Sequence, residues 1–449
     1  MDERGLVERW LEERRQASDL VVRQVSLPDC EGWALEGGRL NHKMGRFFSV
    51  VGVRVETGPP YLVGTEQPMI DQPEIGILGF VVYETADGWS WLLQAKTEPG
   101  NVHGVQAAPS VQATWSNYMR VHGGLPTPLI ECFVGSPPAG VRVVLDVEQS
   151  EQGDRFLGKY NRNAVAIVPS GYPVPDAPQW TWVAASEVRR ALETDFAVNT
   201  DARSVLFCAD WRLLTDRGGQ PFARWRGTGG FGEALFDSLT TGARRESLGE
   251  VTAALEKARA AARLVLEPRP LSGLEGWRLD ANGIVPSSSS ARFQVGTFAV
   301  HASDREVKAW HQPLFVGEGV VSSTMMCARF DGVLRFLLRA AVELGFREGV
   351  QFAPTKIDDP LHSRIGWADA ALADSAAVTQ ASVLQSDEGG RFMNSVARYS
   401  IVEVPCALTC QDDPAGLWVT LGQLREMAAQ RAMLTNEARS ILSLLLAWA

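Results

Sequence analysis

The stretch Gly32-Trp33-Ala34-Leu35 returns in the second half of the chain as Gly276-Trp277-Arg278-Leu279, and Gly104-Val105-Gln106-Ala107-Ala108-Pro109-Ser110 returns as Gly349-Val350-Gln351-Phe352-Ala353-Pro354-Thr355. Two more pairs follow in the same order: Gly153-Asp154-Arg155-Phe156 with Gly389-Gly390-Arg391-Phe392, and Asp201-Ala202-Arg203-Ser204-Val205-Leu206 with Glu437-Ala438-Arg439-Ser440-Ile441-Leu442. Self-similarity at a nearly constant spacing indicates a duplicated fold. The sequence therefore predicts two tandem modules of one fold.

The length of the chain agrees with this division. A chain of 449 residues is too long for one ordinary hydrophobic core. We expect an amino-terminal module over residues 1–240, a helical linker over 241–275 and a carboxy-terminal module over 276–449. One long helix is predicted from about residue 241 to residue 264, where Ala, Arg and Glu are frequent.

The local patterns indicate an α+β fold. Residues 47–55, 77–82 and 90–96 carry β-branched and aromatic residues between breakers, which is typical of strands. Helices are predicted at 186–192, with Ser186 as a plausible cap, and at 421–434, where apolar residues recur at helical spacing.

Composition excludes several classes of protein. The formal net charge of −10 argues against a nucleic-acid-binding surface, and no apolar run is long enough to span a bilayer. The charged amino terminus does not resemble a secretory signal, so a cytoplasmic location is expected. The six scattered cysteines are expected to be buried free thiols rather than a zinc site. No Walker loop and no G-x-G-x-x-G fingerprint follows a strand, so neither a P-loop nor a tightly bound dinucleotide is indicated.

The two copies differ in their polar residues. Lys96, Asn101 and Gln112 of the first copy stand opposite Ala341, Phe346 and Ile357 of the second. Lys159, Asn161 and Asn163 likewise stand opposite Ser395, Ala397 and Tyr399. A duplicated fold with one surviving active site should show this one-sided loss, so the sequence predicts a catalytic first module and a degenerate second one. For any single position, a solvated polar residue is an equally good explanation.

Polar side chains cluster between residues 96 and 122, in a segment broken by Pro and Gly. An unpaired polar group costs about 1–3 kcal/mol when it is buried, so such a segment needs partners that a ligand can supply. Downstream, Lys159, Asn161 and Asn163 are predicted to face one side of a strand and Arg162 the other. Arg155, Lys159 and Arg162 are candidates for holding phosphate oxygens, although Lys159 and Arg162 cannot both reach one ligand from a regular strand.

Four strings together resemble the NDP-4-keto-6-deoxyhexose 2,3-dehydratase family of deoxysugar biosynthesis. They are His42-Lys43-Met44-Gly45-Arg46-Phe47-Phe48, Lys96-Thr97-Glu98-Pro99-Gly100-Asn101, Gln112-Ala113-Thr114-Trp115-Ser116-Asn117-Tyr118 and Lys159-Tyr160-Asn161-Arg162-Asn163. The resemblance covers nearly the whole chain, including the duplication. It implies a homodimer whose subunit has two Nudix-hydrolase-like lobes, and a dTDP-4-keto-6-deoxyhexose as substrate. The glutamate-rich metal helix of Nudix hydrolases is not visible here.

The implied reaction removes the C3 proton, which the C4 ketone acidifies, and then expels the C2 hydroxyl. It needs no nicotinamide and no metal, and its 3,4-diketo product passes to a separate 3-ketoreductase. We assign Glu98 as base and Lys96 as enolate stabiliser; Tyr118, His122 and His42 compete for the acid role. Glu343 persists opposite Glu98, which leaves a structural role open for that glutamate. Candidate substrate-binding residues are Arg46, Asn101, Gln106, Gln112, Trp115, Ser116, Asn117, Arg155, Lys159, Asn161, Arg162 and Asn163, with Trp115 either stacking on thymine or lying in the core.

Two other functions fit the same fold. A non-catalytic Nudix-like protein that binds nucleotide sugars is the main alternative, because fold does not determine function. A Nudix-type hydrolase is a third possibility, and it would depend on a divalent metal. The retained Lys96, Glu98, His42 and Tyr118 favour a dehydratase, since binding of dTDP alone requires no acid or base at the sugar.

Overall fold

The computed structural model describes residues 4–45, 47–119, 126–245, 248–288, 291–303 and 307–449, with side chains omitted at 241–245. The first half contains α1 Leu6–Ala17, β1 Val21–Val25, β2 Trp33–Glu36, β3 Arg39–His42, β4 Ser49–Thr57, β5 Glu66–Asp71, β6 Gly76–Glu84, β7 Trp89–Thr97, β8 Val105–Ala108, β9 Val111–Ala113, α2 Trp115–Tyr118, β10 Arg142–Ser150, β11 Phe156–Leu157, β12 Tyr160–Ile167, β13 Trp180–Ala184, α3 Ala185–Ala191, α4 Thr200–Cys208 and α5 Phe231–Arg245. The second half contains α6 Leu248–Ala261, β14 Val265–Arg269, β15 Trp277–Asp280, β16 Gly283–Pro286, β17 Phe293–His301, β18 Ala309–Gly317, β19 Val320–Phe330, β20 Val333–Val342, β21 Val350–Ala353, β22 Lys356–Ile357, α7 Gly366–Ala373, β23 Val378–Ser386, β24 Phe392–Met393, β25 Val396–Glu403, β26 Gly416–Thr420, α8 Leu421–Ala428 and α9 Asn436–Leu442.

The predicted α+β class is confirmed, and the elements recur in the same order in both halves. The strands predicted at 47–55, 77–82 and 90–96 are β4, β6 and β7. The helix predicted at 186–192 is α3, but Ser186 is not its cap: Ala184 holds that position without a side-chain hydrogen bond. In α8, Thr420 and Gln423 form a capping box at the amino end, and the helix ends at Ala428 rather than continuing to residue 434.

Within the described residues, four sheets carry the fold, one small and one large sheet for each half. The large sheet of the first half has the order β10-β12-β6-β7-β13, with β8 on β7 and β9 on β6. The second half repeats it as β23-β25-β19-β20-β26, with β21 on β20 and β22 on β19. The two small sheets are β11-β5-β4-β3-β2 and β24-β18-β17-β16-β15.

The two halves exchange a strand. β1 of the first half pairs antiparallel with β17 in the small sheet of the second half, and β14 of the second half pairs with β4 in the small sheet of the first. The predicted linker segment therefore includes a strand that completes the opposite half. Within it, α5 ends at Arg245 and α6 begins at Leu248 instead of one long helix, and residues 246–247 are not described.

The largest hydrophobic core is shared by both halves, including Phe80 and Trp91 from one and Phe336 and Leu424 from the other. Helices α4 and α9 meet at its centre, where the Thr200 and Ser440 hydroxyls lie 3.1 Å apart. The halves therefore cannot be separated without exposing apolar surface.

Four of the six cysteines are buried as expected, but Cys406 and Cys410 are exposed because they lie in the loop region between β25 and β26. Within the described residues, no helix combines the length and apolar character that crossing a membrane requires.

Candidate active site

Lys96 and Glu98 meet at the end of β7. The Lys96 ammonium donates to the Gln112 carbonyl at 2.9 Å and lies 3.7 Å from Glu98 Oε1. The Gln112 amide donates to the same Glu98 oxygen at 3.3 Å and is itself held by Asn199 at 3.0 Å. Glu98 is buried, and its Oε2 has no hydrogen-bond partner. One carboxylate oxygen is thus fixed by hydrogen bonds, while the other is buried without a hydrogen-bond partner.

A second buried group of charges lies beside this pair. Glu151 accepts from Asn161 at 2.7 Å and from Asn436 at 3.0 Å, so a residue of the second half helps to hold it. Lys159 donates to the Glu74 carbonyl. Burial lowers the pKa of Lys159 to about 8, partly offset by Glu151, whereas burial raises the pKa of Glu151.

A loop from the second half closes this site. The Gly100 amide donates to the Gly389 carbonyl at 2.8 Å, and a Cβ at Gly390 would lie 2.4 Å from Glu388 Oε1 and 3.7 Å from Glu98 Oε1. Arg391, on the same loop, donates to Gln72 at 3.1 Å and lies over the Phe48 ring. The close backbone approach at Gly389 and Gly390 therefore brings Glu388 and Arg391 to the first half's residues.

Two carboxyl groups of the site, Glu388 and Asp201, have raised pKa values. Burial, together with the charges of Glu98 and Glu151, raises the pKa of Glu388 to about 7, while Arg391 opposes the shift. Burial and the charges of Glu151, Glu388 and Glu98 also raise the pKa of Asp201, at the start of α4. A carboxyl group with a pKa of about 7, such as that of Glu388, is suited to proton transfer near neutral pH.

Several predicted residues line one approach to the site. The Ser116 backbone amide and hydroxyl both donate to the Glu74 carboxylate, at 3.2 and 2.8 Å. Tyr118 lies near Glu74 and Arg162, and its pKa is raised by burial. Trp115 and Asn117 are exposed beside them, and the predicted residue His122 lies outside the described residues.

Other predicted residues are placed elsewhere. His42 packs against Trp33 and Phe47 and lines a separate open cavity of about 670 Å³ with Arg23 and Trp310; Arg46 lies outside the described residues. The described residues that line this cavity include no lysine, so it lacks a carboxyl–lysine pair of the kind seen at Lys96 and Glu98.

The predicted binding residues further along the chain have structural partners. Gln106 donates to Ser386 of the second half at 2.9 Å, and Asn163 donates to Ser204 at 2.6 Å. Arg162 pairs with Asp146 at 2.5 Å on the other face of β12 from Asn161. Asn101 lies in the Lys96 site, where its Oδ1 is buried without a hydrogen-bond partner.

Arg155 lies at an equivalent cluster belonging to the second half. There Glu343 Oε1 is 3.9 Å from His362 Nδ1, and Arg339 and Asp154 are near enough to affect the pKa of Glu343, which burial raises. Arg155 itself pairs with Asp154 and lies over the Phe293 ring of the second half. The arrangement is reciprocal: Arg155 of the first half contacts the second half, and Arg391 of the second half contacts the first.

Comparison with known proteins decides the family. Residues 4–209 and 248–445 match the sequence profile of the family described as NDP-hexose 2,3-dehydratase. The chain belongs to the NDP-hexose 2,3-dehydratase family. Its match to this family occurs in two segments, one in each half, as the internal repeat predicts.

Three relatives of this dehydratase family are similar over 97% of the chain. A protein of Saccharopolyspora spinosa is 34% identical with 89% of its length covered, one of Amycolatopsis orientalis is 33% identical with 89% covered, and one of Streptomyces violaceoruber is 34% identical with 95% covered. Each is named dTDP-4-dehydro-6-deoxy-α-D-glucopyranose 2,3-dehydratase.

Sequence reasoning about this dehydratase-family chain missed four charged residues of the site: Glu151, Asp201, Glu388 and Arg391. The repeat pairs contained Asp201 and Arg391, but repetition alone indicates a shared fold rather than a shared site. Within the described residues, no group of three or more His, Cys, Asp or Glu side chains is arranged to hold a metal ion.

Proposed function

We propose that this chain is a dTDP-4-keto-6-deoxyglucose 2,3-dehydratase whose reaction takes place at the Lys96 site of the first half. The observation that carries the proposal is the buried Lys96–Glu98 pair, in which one carboxylate oxygen has no hydrogen-bond partner, in a chain whose relatives bear this dehydratase name. The position opposite Lys96 holds Ala341, so the pair is complete in one half only.

The chemistry needs a base and a cation at neighbouring atoms of the sugar. Glu98 takes the C3 proton, and the electron pair moves towards C4, whose carbonyl oxygen becomes an enolate. The Lys96 ammonium stabilises that oxygen, because a fixed cation in a dry site is most effective where charge develops. The enolate then returns its electrons as the C2–O bond breaks, and the resulting enol becomes the 3,4-diketo sugar. Among the residues predicted as acids, Tyr118 is the one that lies near this site in the described part of the chain.

The diphosphate of the substrate is held by cations at the far side of the site. Lys159 is buried, and its charge interacts with that of Arg391 and with the carboxylates of Glu151, Glu388 and Glu74. Two cations in one buried region attract a dianionic group strongly.

Lys159→Met is therefore expected to raise the KM for the sugar nucleotide about tenfold or more, which is the scale of one charge-assisted hydrogen bond. Arg162→Ala is the matched control, since Arg162 pairs with Asp146 on the other face of the strand and should leave the KM unchanged. Steady-state kinetics on both variants test this. An unchanged KM for the Lys159 variant, or an equal rise for both, would remove Lys159 from the phosphate site.

We further propose that the two halves are Nudix-hydrolase-like lobes and that the active assembly is a homodimer, as the family resemblance implies. The diketo product is reactive, so a 3-ketoreductase is the expected next enzyme. No step of the proposed reaction transfers a hydride, which is why this chain needs no nicotinamide.

The test is incubation with dTDP-4-keto-6-deoxyglucose, a 3-ketoreductase and its reduced cofactor, followed by mass spectrometry. The dehydratase removes one water before the reduction. Substrate that keeps its C2 oxygen would favour the alternative, a protein that only binds nucleotide sugars. Release of dTMP in a metal-dependent reaction would instead favour a hydrolase.

A further inference from the structure

Glu388 lies at the junction of the two halves, on the loop between β23 and β24. The loop is held on the first half by the hydrogen bond from Gly100 to Gly389 and by a second from Asn394 to the Gly100 carbonyl at 3.3 Å. This backbone docking fixes the Glu388 carboxyl near that of Glu98, since both carboxyl groups lie within 4 Å of one point, the Cβ position at Gly390. Glu388 is only partly buried, so it is the more accessible of the two.

The repeat makes Glu388 distinctive. The equivalent residue of the first half is Gln152, whose amide donates to Asp387 at 3.2 Å at the second half's cluster. By contrast, Glu98 and Asp201 stand opposite Glu343 and Glu437, which are also carboxylic acids. Glu388, like Lys96, is therefore an ionisable residue that is present in the first half's site and is replaced in the second half's cluster.

The surroundings of Glu388 favour its protonated form. Glu98 and Lys96 face it from the end of β7, Glu151 and Lys159 from the β10–β12 region, Asp201 from α4, and Arg391 from its own loop. Three carboxyl groups and three cations therefore face Glu388. Partial burial and two neighbouring carboxylates raise the pKa of Glu388 to about 7, so a substantial fraction carries a proton at neutral pH.

The position of Glu388 matches one atom of the substrate. In the sugar, C2 lies between C1, which carries the diphosphate, and C3, which carries the proton to be removed. Glu388 likewise interacts electrostatically both with Glu98, the base, and with the cations Lys159 and Arg391 that we assign to the diphosphate. We propose that Glu388, supplied by the second half, is the general acid that protonates the departing C2 hydroxyl. This inference rests on the proposed function and deepens it.

The two carboxyl groups of Glu98 and Glu388 account for every proton transferred in the reaction. Glu98 takes the C3 proton, and the C3–H electron pair forms the enolate. When the enolate collapses, the C2=C3 bond forms, the C2–O bond breaks, and the Glu388 proton completes the water that leaves. Glu98 then returns its proton to C2 while Glu388 accepts the proton of the C3 enol hydroxyl. Both residues are restored, and no oxidant or reductant is consumed.

The experiment uses substrate deuterated at C3 and the full-length Glu388→Gln variant. An amide fits this loop, because Gln152 occupies the same position in the other copy. We expect water loss to fall by about a hundredfold or more, the scale of a missing general acid. Deuterium should nevertheless wash out of the recovered substrate, because Glu98 still removes it. Glu388→Asp should regain part of the dehydration rate, and Glu98→Gln should lose both wash-out and dehydration.

Three results would overturn the proposal. The first is near-normal dehydration by Glu388→Gln. The second is loss of both wash-out and dehydration in Glu388→Gln, while that variant still melts and binds dTDP normally. The third is that Asp201→Asn gives the pattern expected of Glu388→Gln. If the variant has the same melting curve as the wild type, a folding defect does not explain its loss of dehydration. Failure of the wild-type protein to remove water would contradict the proposed function itself, and it is measured in the same assay.

Discussion

Lys96→Ala is expected to lower the turnover of dTDP-4-keto-6-deoxyglucose by about a hundredfold or more, the usual scale for loss of an electrostatic stabiliser of the transition state. The Lys96 ammonium lies 3.7 Å from the proposed base and is nearly buried. A cation from solvent is therefore not expected to take its place in the variant. Alanine should fit without damage to the fold, because Ala341 occupies the equivalent position. Affinity for dTDP should remain close to that of the wild type, since the proposed role concerns the sugar.

The matched control is Lys356→Ala. This lysine lies on β22 of the second half, where it pairs with Asp358 and Asp369 at 3.3 and 2.8 Å, and its loss should not change turnover. Coupled kinetics and calorimetric titration with dTDP measure the two quantities. If binding and turnover fall together, Lys96 anchors the substrate; if neither falls, Lys96 lies outside the site.

Gly100→Ala is expected to destabilise the fold by about 3 kcal/mol or more, the scale of severe overpacking. A Cβ at residue 100 would lie 1.5 Å from the Phe392 carbonyl oxygen. That atom belongs to the backbone of β24, so a change of side-chain rotamer cannot relieve the clash. The equivalent Gly345 meets Phe156 in the same way, at 1.6 Å.

Gly366→Ala serves as the control for this prediction. Gly366 begins α7, and a Cβ there would meet nothing within 4 Å, so alanine should be neutral or slightly stabilising. Thermal melting and the yield of soluble protein compare the two variants. A Gly100 variant that melts like the Gly366 variant would mean that the loop of the second half does not dock on the first half as described.

The duplication and the strand pattern could be predicted because hydrophobic periodicity and repeated motifs are local properties of the sequence. The exchange of strands between the two halves could not be predicted from the sequence. Equivalent segments have similar sequences whichever half they pair with, so the repeat identifies β1 and β14 as counterparts without indicating that each joins the other's sheet.

The sequence also could not show which half Arg155 contacts, because a repeated motif does not indicate which half it packs against. Its motif is repeated at Arg391, and both loops cross to the opposite half, so a residue predicted for the first site lies at the second cluster. The proximity of Lys96 and Glu98 could be predicted because the two residues lie in one short string. Glu151 and Glu388 come from distant segments, and only the packing of the two halves brings them to that string.

The most direct test of the location of the active site is the turnover of Glu98→Gln beside that of Glu343→Gln, measured on the same substrate in the ketoreductase-coupled assay. The two glutamates are equivalent in the repeat and both are buried, so the substitutions are chemically matched. With thermal stability checked for each, Glu98→Gln should lose about a hundredfold or more in turnover, while Glu343→Gln should stay close to the wild-type rate. Loss of turnover in Glu343→Gln with near-normal turnover in Glu98→Gln would contradict the account and place the reaction in the second half.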